Sequence, residues 1–160
     1  MVRFFRMILV IAALALGATA VASAAEATDP VVGTWTLNLA KSTFSPGPAP
    51  TSQTRTYTAT ADGTEVTING VAADGKPVSQ HSSFKYDGKD YPFTGNANVD
   101  TAAVLRIDGF TVASTLKRAG KVVGTSTRSV SRDGNVLTLS SRGTDARGKA
   151  YDNVMVFDRQ

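Results

Sequence analysis

The sequence predicts an all-β protein, a single up-and-down antiparallel meander that closes into a barrel of eight to ten strands. Two-residue turn signals recur about a dozen residues apart, the length of one strand and one turn. They are Asp62-Gly63, Asp74-Gly75, Asp87-Gly88, Asp108-Gly109 and Asp133-Gly134. Residues 34–39 alternate apolar with polar side chains, and residues 25–160 contain no sustained helical period. Closure is expected because it alone removes exposed strand edges.

Ten strands are predicted, and one long connection separates the first from the rest. The predicted strands are 34–39, 54–61, 64–71, 76–86, 89–94, 102–107, 110–117, 121–131, 135–143 and 149–158. The connection, residues 40–53, carries Pro46, Pro48 and Pro50, which remove backbone donors and disfavour helix. This segment is either a plain surface crossing or a flap over the mouth of the barrel.

Turn geometry assigns side chains to the inner or outer face. A two-residue turn at Asp62-Gly63 pairs Tyr57 with Ile68 on an apolar face. The turn at Asp87-Gly88 pairs Phe84 with Tyr91 and places two further aromatic side chains, Tyr86 and Phe93, on the same face. The turn at Asp108-Gly109 similarly groups Leu105, Ile107, Phe110 and Val112 inside. These aromatic residues line a cavity or pack an ordinary core.

Arg128 is the predicted inward-facing cation. A three-residue loop at 118–120 pairs Leu116 with Val122 and sets Arg128 opposite Phe110, and the Asp133-Gly134 turn adds Leu139 as its other neighbour. A guanidinium inside an apolar barrel needs hydrogen-bond acceptors. The acceptor is a ligand anion in one interpretation, and a backbone carbonyl or a protein carboxylate in the other.

The sequence offers little catalytic or metal-binding chemistry. His81 is the single histidine, and there is no cysteine. A bulge near Asn69-Gly70 would keep Val71 and Phe84 inside, whereas without it His81 points inward. One histidine cannot form a multi-histidine metal site, and no Gly-x-Ser-x-Gly motif marks a nucleophile. We therefore expect no enzyme activity, no metal and no cofactor.

The first residues are predicted to be a removable signal peptide. Arg3 and Arg6 precede an apolar run that ends in small residues, and Ala22-Ser23-Ala24 suits a signal peptidase. An uncleaved membrane anchor is the alternative. Residues 1–24 are thus the predicted leader and residues 25–160 one domain, exported to a bacterial periplasm or the extracellular space. After cleavage no membrane anchor is expected.

The charge pattern argues against nucleic-acid binding. The chain has 17 Lys and Arg against 13 Asp and Glu, a net charge of +4 that the leader's two arginines inflate. Acids and bases alternate, and no clustered basic face with stacking aromatics is present.

The motif Gly33-Thr34-Trp35 stands at the head of the first strand, and Arg159 stands at the end of the last. In these residues and in the meander that follows them, the chain resembles the lipocalin and fatty-acid-binding protein (calycin) superfamily. The resemblance implies a barrel in which Arg159 packs over Trp35, with a cavity for a small ligand. The fatty-acid-binding branch has two helices where residues 40–53 are Pro-rich, and its Arg-x-Tyr clamp has no match on the last strand.

These observations predict an exported lipocalin-like protein that binds a small apolar or amphipathic ligand inside its barrel. The alternative is a non-enzymatic structural or interaction protein with a filled barrel that acts through its surface. The candidate ligand-binding residues are Arg128, Tyr57, Phe84, Tyr86, Tyr91 and Phe110, and the structural ones are Gly33, Trp35 and Arg159.

Overall fold

The computed structural model describes residues 28–160. The predicted leader lies outside the described residues. Within them the chain forms eleven antiparallel strands and one short 3-10 turn (Leu39–Lys41). The strands are β1 (Gly33–Leu37), β2 (Thr43–Ser45), β3 (Ser52–Thr60), β4 (Gly63–Val71), β5 (Pro77–Phe84), β6 (Asp87–Thr94), β7 (Thr101–Arg106), β8 (Thr111–Arg118), β9 (Lys121–Val130), β10 (Val136–Thr144) and β11 (Ala150–Arg159).

Ten of these strands close into an up-and-down barrel, which confirms the predicted fold. From β3 to β11 each strand pairs with the next in the chain, and β1 joins the two ends by pairing with both β3 and β11. Trp35 lies at the junction, with Arg55 as its partner on one side and Arg159 on the other. Every barrel strand therefore has a neighbour on each side.

The Pro-rich connection contains a short strand that the sequence analysis did not predict. β2 pairs with the first half of β11, where Phe44 is the partner of Asn153, and it has no second strand neighbour. β2 therefore lies outside the barrel as an eleventh strand. Of residues 40–53, only Gln53 lines the main cavity. This favours the surface crossing over the flap.

The β4–β5 hairpin shows why His81 faces solvent. Pairing runs without a shift from Thr64–Phe84 to Val71–Pro77, so the predicted bulge near Asn69-Gly70 is wrong. The extra residue lies in the turn instead of in a bulge. Ala72 N donates to Lys76 O at 2.8 Å around a loop of three residues, where the sequence analysis assumed two. Phe84 is consequently inside and Val71 falls on the outer face. The His81 side chain also lies on the outer face, where it contacts Glu65.

The β7–β8 connection departs from its prediction by one residue. Leu105 pairs with Ala113 and Arg106 with Val112, and Ile107 N donates to Thr111 O at 2.9 Å, so the loop has three residues, 108–110, instead of two. The Asp108 carboxylate accepts a hydrogen bond from Phe110 N at 2.8 Å and turns the chain within this loop. Leu105 and Ile107 are 50% and 59% exposed, and the prediction that they lie inside is wrong. Arg106 occupies the inner face in their place.

The β8–β9 hairpin places Arg128 inside by a route that the sequence analysis missed. Its loop has two residues, Ala119 and Gly120, with φ of 49° and 75°. A register shift between Leu116 and Lys117 then adds one extra residue to β9, which restores the predicted inner and outer faces for the rest of that strand. Arg128 is therefore inside as predicted, beside Leu139 but opposite Val112 rather than Phe110. Val122, predicted inside, is 61% exposed.

Two other hairpins keep the predicted faces. The β3–β4 turn pairs Tyr57 with Val66 instead of Ile68, a shift of two residues that leaves the face unchanged. The β5–β6 register, with Ser82 opposite Phe93, agrees with the predicted one.

The tightest part of the core lies around the junction of β1 and β11. Its fully buried large side chains are Trp35, Phe157, Ile68, Leu137 and Val31. No helix among residues 28–160 is long and apolar enough to cross a membrane.

Candidate ligand-binding site

One end of the barrel is closed by the segment that precedes β1. Trp35 is fully buried, and its indole N–H donates to Val31 O at 2.8 Å. The Arg159 guanidinium lies 4.2 Å from the Trp35 ring centroid, as the resemblance implied. It donates to the carbonyls of Pro30, Val32 and Gly134 at 2.6, 2.9 and 2.5 Å. Arg159 thus ties the preceding segment and the β9–β10 loop to the end of the barrel.

A cavity of about 360 Å³ occupies the rest of the interior and opens at the other end. This volume lies within the range of small-molecule sites. Its apolar wall includes Tyr57, Val66, Phe84, Phe93, Val99, Val104, Val112, Leu116, Leu139 and Met155, and its polar side chains include Gln53, Arg55, Gln80, Ser114, Ser126, Arg128, Ser141, Tyr151 and Asn153. The barrel interior is therefore partly hollow.

The loop between β6 and β7 forms part of the cavity wall near the mouth. Val99 is buried and lines the cavity. The loop is held from both sides: Asn98 Oδ1 accepts from Ala146 N at 2.9 Å, and Asp100 Oδ2 accepts from Ala119 N at 2.7 Å. Hydrogen bonds therefore join the β6–β7 loop to the β8–β9 and β10–β11 connections.

Arg128 projects into the cavity with 7% of its surface exposed. Its guanidinium donates to the Tyr86 hydroxyl at 3.1 Å and lies 4.7 Å from the Tyr57 ring centroid. Burial opposes the charge, but the two tyrosines outweigh it and raise the pKa of Arg128 above its usual value. Arg128 forms no ion pair with an Asp or Glu of residues 28–160. Its positive charge thus faces the cavity without a counter-ion among the described residues.

Arg55 is a second guanidinium on the cavity wall, and the sequence analysis missed it. Its Nε donates to Gln53 Oε1 at 3.2 Å, and its guanidinium lies 5.3 Å from the Phe157 ring centroid. Burial alone would raise the pKa of Tyr57, yet the charges of Arg55 and Arg128 lower it below its usual value. The alternation of Gln53, Arg55 and Tyr57 along β3 was the available signal.

Tyr86 connects Arg128 to an ion pair at the closed end. Asp29 Oδ2 lies 2.5 Å from Arg106 Nη2, and the Arg106 guanidinium stacks 3.9 Å from the Tyr86 ring centroid. Thr64 Oγ1 donates to the Tyr86 hydroxyl at 3.3 Å. Arg106 therefore has its counter-ion in Asp29, whereas Arg128 contacts Tyr57 and Tyr86 and no carboxylate among residues 28–160.

The other predicted ligand-binding residues lie apart from the cavity. The Tyr91 hydroxyl donates to Asp87 Oδ2 at 3.0 Å, and Phe110 carries the Arg132 guanidinium 4.8 Å from its ring centroid. Tyr86 accepts a hydrogen bond from Arg128 but does not itself line the cavity. Of the predicted set, Arg128, Tyr57 and Phe84 line the cavity.

The single histidine does not line the cavity. The His81 imidazole lies outside, where its Nε2 is 3.0 Å from Glu65 Oε1. Among residues 28–160, no three His, Asp or Glu side chains are close enough to hold a metal ion.

A closed ten-stranded meander with Trp35 beneath Arg159 decides the fold type. It is a closed, up-and-down antiparallel β-barrel. Zebrafish ileal bile acid-binding protein complexed with cholic acid is similar at 15% identity, with a TM-score of 0.48 over 82% of this chain and 99% of that one. A redesigned β-barrel, mFAP1, bound to DFHBI, is similar at 13% identity, with a TM-score of 0.39 over 81% and 95%. The likeness is one of fold alone. No family model and no curated protein matches the sequence.

Proposed function

We propose that this protein is a non-enzymatic carrier that binds a small amphipathic organic anion inside its calycin-like barrel. The apolar part of the ligand packs against the cavity wall, and its anionic group lies between Arg128 and Arg55. The observation that carries the proposal is the buried Arg128 guanidinium, which faces a cavity of about 360 Å³ and has no carboxylate partner among residues 28–160.

The chemistry of a guanidinium supports an anionic ligand. Arginine carries five N–H donors, and it costs free energy to bury them without acceptors. The Tyr86 hydroxyl accepts one hydrogen bond, and the Tyr57 ring adds a cation–π contact. A carboxylate accepts bidentate hydrogen bonds from arginine and would supply the missing charge.

The alternative function, a filled barrel that acts through its surface, has less support. A filled interior would leave no cavity of ligand size, whereas the cavity here reaches about 360 Å³. The exposed apolar side chains Leu105 and Ile107 are the strongest support for an interaction surface, and apolar side chains of this kind occur on most protein surfaces.

We also propose that the protein acts after export, in a bacterial periplasm or outside the cell. The support is the leader-like composition of residues 1–24.

Calorimetric titration with decanoate and with decanol tests the binding proposal, because the two probes share a chain length and differ in charge. We expect decanoate to bind at least about tenfold more tightly than decanol. Native mass spectrometry of the purified protein should reveal a co-purifying small acid. Equal binding of both probes would overturn the role of the arginines, and a protein that binds neither would overturn the carrier function.

A further inference from the structure

Three serines form a continuous row across the cavity wall. Ser114 on β8, Ser126 on β9 and Ser141 on β10 are direct cross-strand partners, and all three line the cavity. Adjacent strands are about 4.8 Å apart, so the row extends over roughly 10 Å. We call these three residues the serine row.

The neighbouring layers of the same wall have different side chains. Toward the closed end the layer is Val112, Arg128 and Leu139, which places Arg128 next to Ser126 along β9. Toward the mouth, Gly124 and Gly143 are paired, and a Cβ on either would come within 2.8 or 3.0 Å of the Tyr151 hydroxyl. The missing side chains thus admit the Tyr151 hydroxyl. Between the buried cation and the mouth, this wall therefore carries the serine row and the Tyr151 hydroxyl, with Leu116 opposite Gly124 beside them.

The wall across the cavity from β9 is mixed, with an apolar patch between polar side chains. β4 lies five strands from β9 in either direction around the barrel, and it contributes Val66 to the cavity. Phe84 and Phe93 on the two following strands extend this apolar patch, while Arg55 and Gln80 on the strands that flank β4 add polar groups. The serine row therefore lies across the cavity from an apolar patch.

The serine row differs from the other serine that points inward. Ser82 is buried, and its hydroxyl donates to Pro92 O at 2.8 Å. The hydroxyls of the serine row have no such backbone acceptor among residues 28–160, and all three side chains are only half-buried. They are available to hydrogen-bond a molecule in the cavity, and each hydroxyl can act as donor or acceptor.

We propose that the serine row selects organic acids that carry hydroxyl or carbonyl groups along one side of an otherwise apolar frame. The anionic group lies at Arg128, the oxygen atoms of the frame lie along the serine row, and the apolar side faces Val66 and Phe84. This inference rests on the proposed function and adds that plain apolar acids are the weaker ligands. A polar site disfavours an analogue that lacks the matching groups, because its own polar atoms then lose their partners on desolvation.

Two tricyclic acids of the same frame test the selectivity. Anthracene-2-carboxylate has no oxygen on its ring edges, whereas 4,5-dihydroxyanthracene-2-carboxylate carries two hydroxyl groups along one edge and none on the other. We expect calorimetry to show that the oxygenated acid binds about tenfold more tightly, the gain from one or two net hydrogen bonds.

Serine variants assign that gain to the row. Ser126→Ala, and the triple variant in which Ser114, Ser126 and Ser141 become alanine, should remove most of the preference and leave the affinity for anthracene-2-carboxylate unchanged. Ser140→Ala is the matched control, because Ser140 neighbours Ser141 on the outer face of β10. Thermal unfolding of each variant verifies that the barrel is retained.

The outcomes separate this inference from the proposed function. If decanoate binds but the two tricyclic acids bind equally, or if the preference survives in the triple variant, the selectivity is overturned while the carrier function stands. If decanoate and both tricyclic acids fail to bind, both proposals are overturned.

Discussion

The guanidinium of Arg159 fills the space that a side chain on Gly33 would need. A Cβ on Gly33 would come within 2.5 Å of Arg159 Nη1, and the residue adopts φ of +135°, a conformation that favours glycine. Arg159 cannot easily move away, because three backbone carbonyls and the Trp35 ring hold it in place. The glycine and the arginine are therefore mutually dependent.

Gly33→Ala should lower the free energy of unfolding by at least about 2 kcal/mol, from backbone strain and the displacement of Arg159. Chemical denaturation measures the change. Gly109→Ala is the control and should be nearly neutral, since a Cβ there meets nothing within 4 Å and its φ is not positive. Equal losses in the two variants would mean that Arg159 does not confine Gly33.

Arg128→Met should abolish the preference for decanoate over decanol. The substitution keeps much of the side-chain volume while it removes the charge and its donors. Because Arg128 has no carboxylate partner to leave unpaired, we expect stability to change by less than about 1 kcal/mol. Calorimetry and thermal unfolding measure the two effects separately.

Arg142→Met is the matched control for charge, because Arg142 is exposed on the outer face of β10. It should retain the preference for the acid. A large fall in the melting temperature of Arg128→Met, with acid binding intact, would assign Arg128 a structural role.

Asp29→Asn should weaken the closed end in a pH-dependent way. Burial raises the pKa of Asp29, but hydrogen bonds from Tyr86, Val31 N and Arg106 outweigh it and hold the pKa below 3.8. A carboxyl with a lowered folded pKa stabilises the protein above its unfolded pKa, and this contribution is lost as the pH falls through the folded pKa. We expect a loss of about 1–3 kcal/mol at pH 7 that shrinks as the pH falls below about 4.

Urea denaturation of both proteins between neutral and acid pH checks this expectation. Asp62→Asn, in an exposed turn, is the control and should follow the parent protein throughout. A constant difference across the pH range would show that the Asp29 charge is not responsible.

Ala119→Asn should stabilise the β8–β9 hairpin. Ala119 adopts φ of +49°, which costs an alanine about 1 kcal/mol and suits asparagine better. The gain should be about 0.5–1 kcal/mol by thermal unfolding. Ala119→Val should move the melting temperature the other way, because a β-branched residue tolerates positive φ least. If both variants are less stable, the turn does not have this conformation in solution.

Expression of the full chain in a bacterium should yield a mature protein whose N-terminal sequence begins at or near Ala25. The reason is the small-residue site at Ala22-Ser23-Ala24, which follows an apolar run. Edman sequencing of the periplasmic and medium fractions provides the measurement. Mature protein that retains the apolar run would contradict cleavage.

Strand positions were accessible from sequence because they depend on local chemistry. Asp-Gly turns and apolar alternation predicted all ten barrel strands to within a few residues. The face of each strand was harder to predict, since one residue in a turn reverses it. Leu105 and Ile107 were assigned inward for this reason, and Arg128 was placed correctly only because the register shift at Leu116 offset a misjudged loop.

The sequence by itself determined the fold class and the absence of cysteine chemistry, because these depend on residue types and short-range spacing, whereas the closing pair Trp35 and Arg159 was implied by the family resemblance. The tertiary structure alone decided which polar groups share the cavity. Arg55 and Arg128 flank Tyr57 from strands far apart in the chain, and the serine row exists only once β8, β9 and β10 are in register. Whether a buried charge has a partner is a property of three-dimensional packing: Asp29 neutralises Arg106 and leaves Arg128 facing an open cavity.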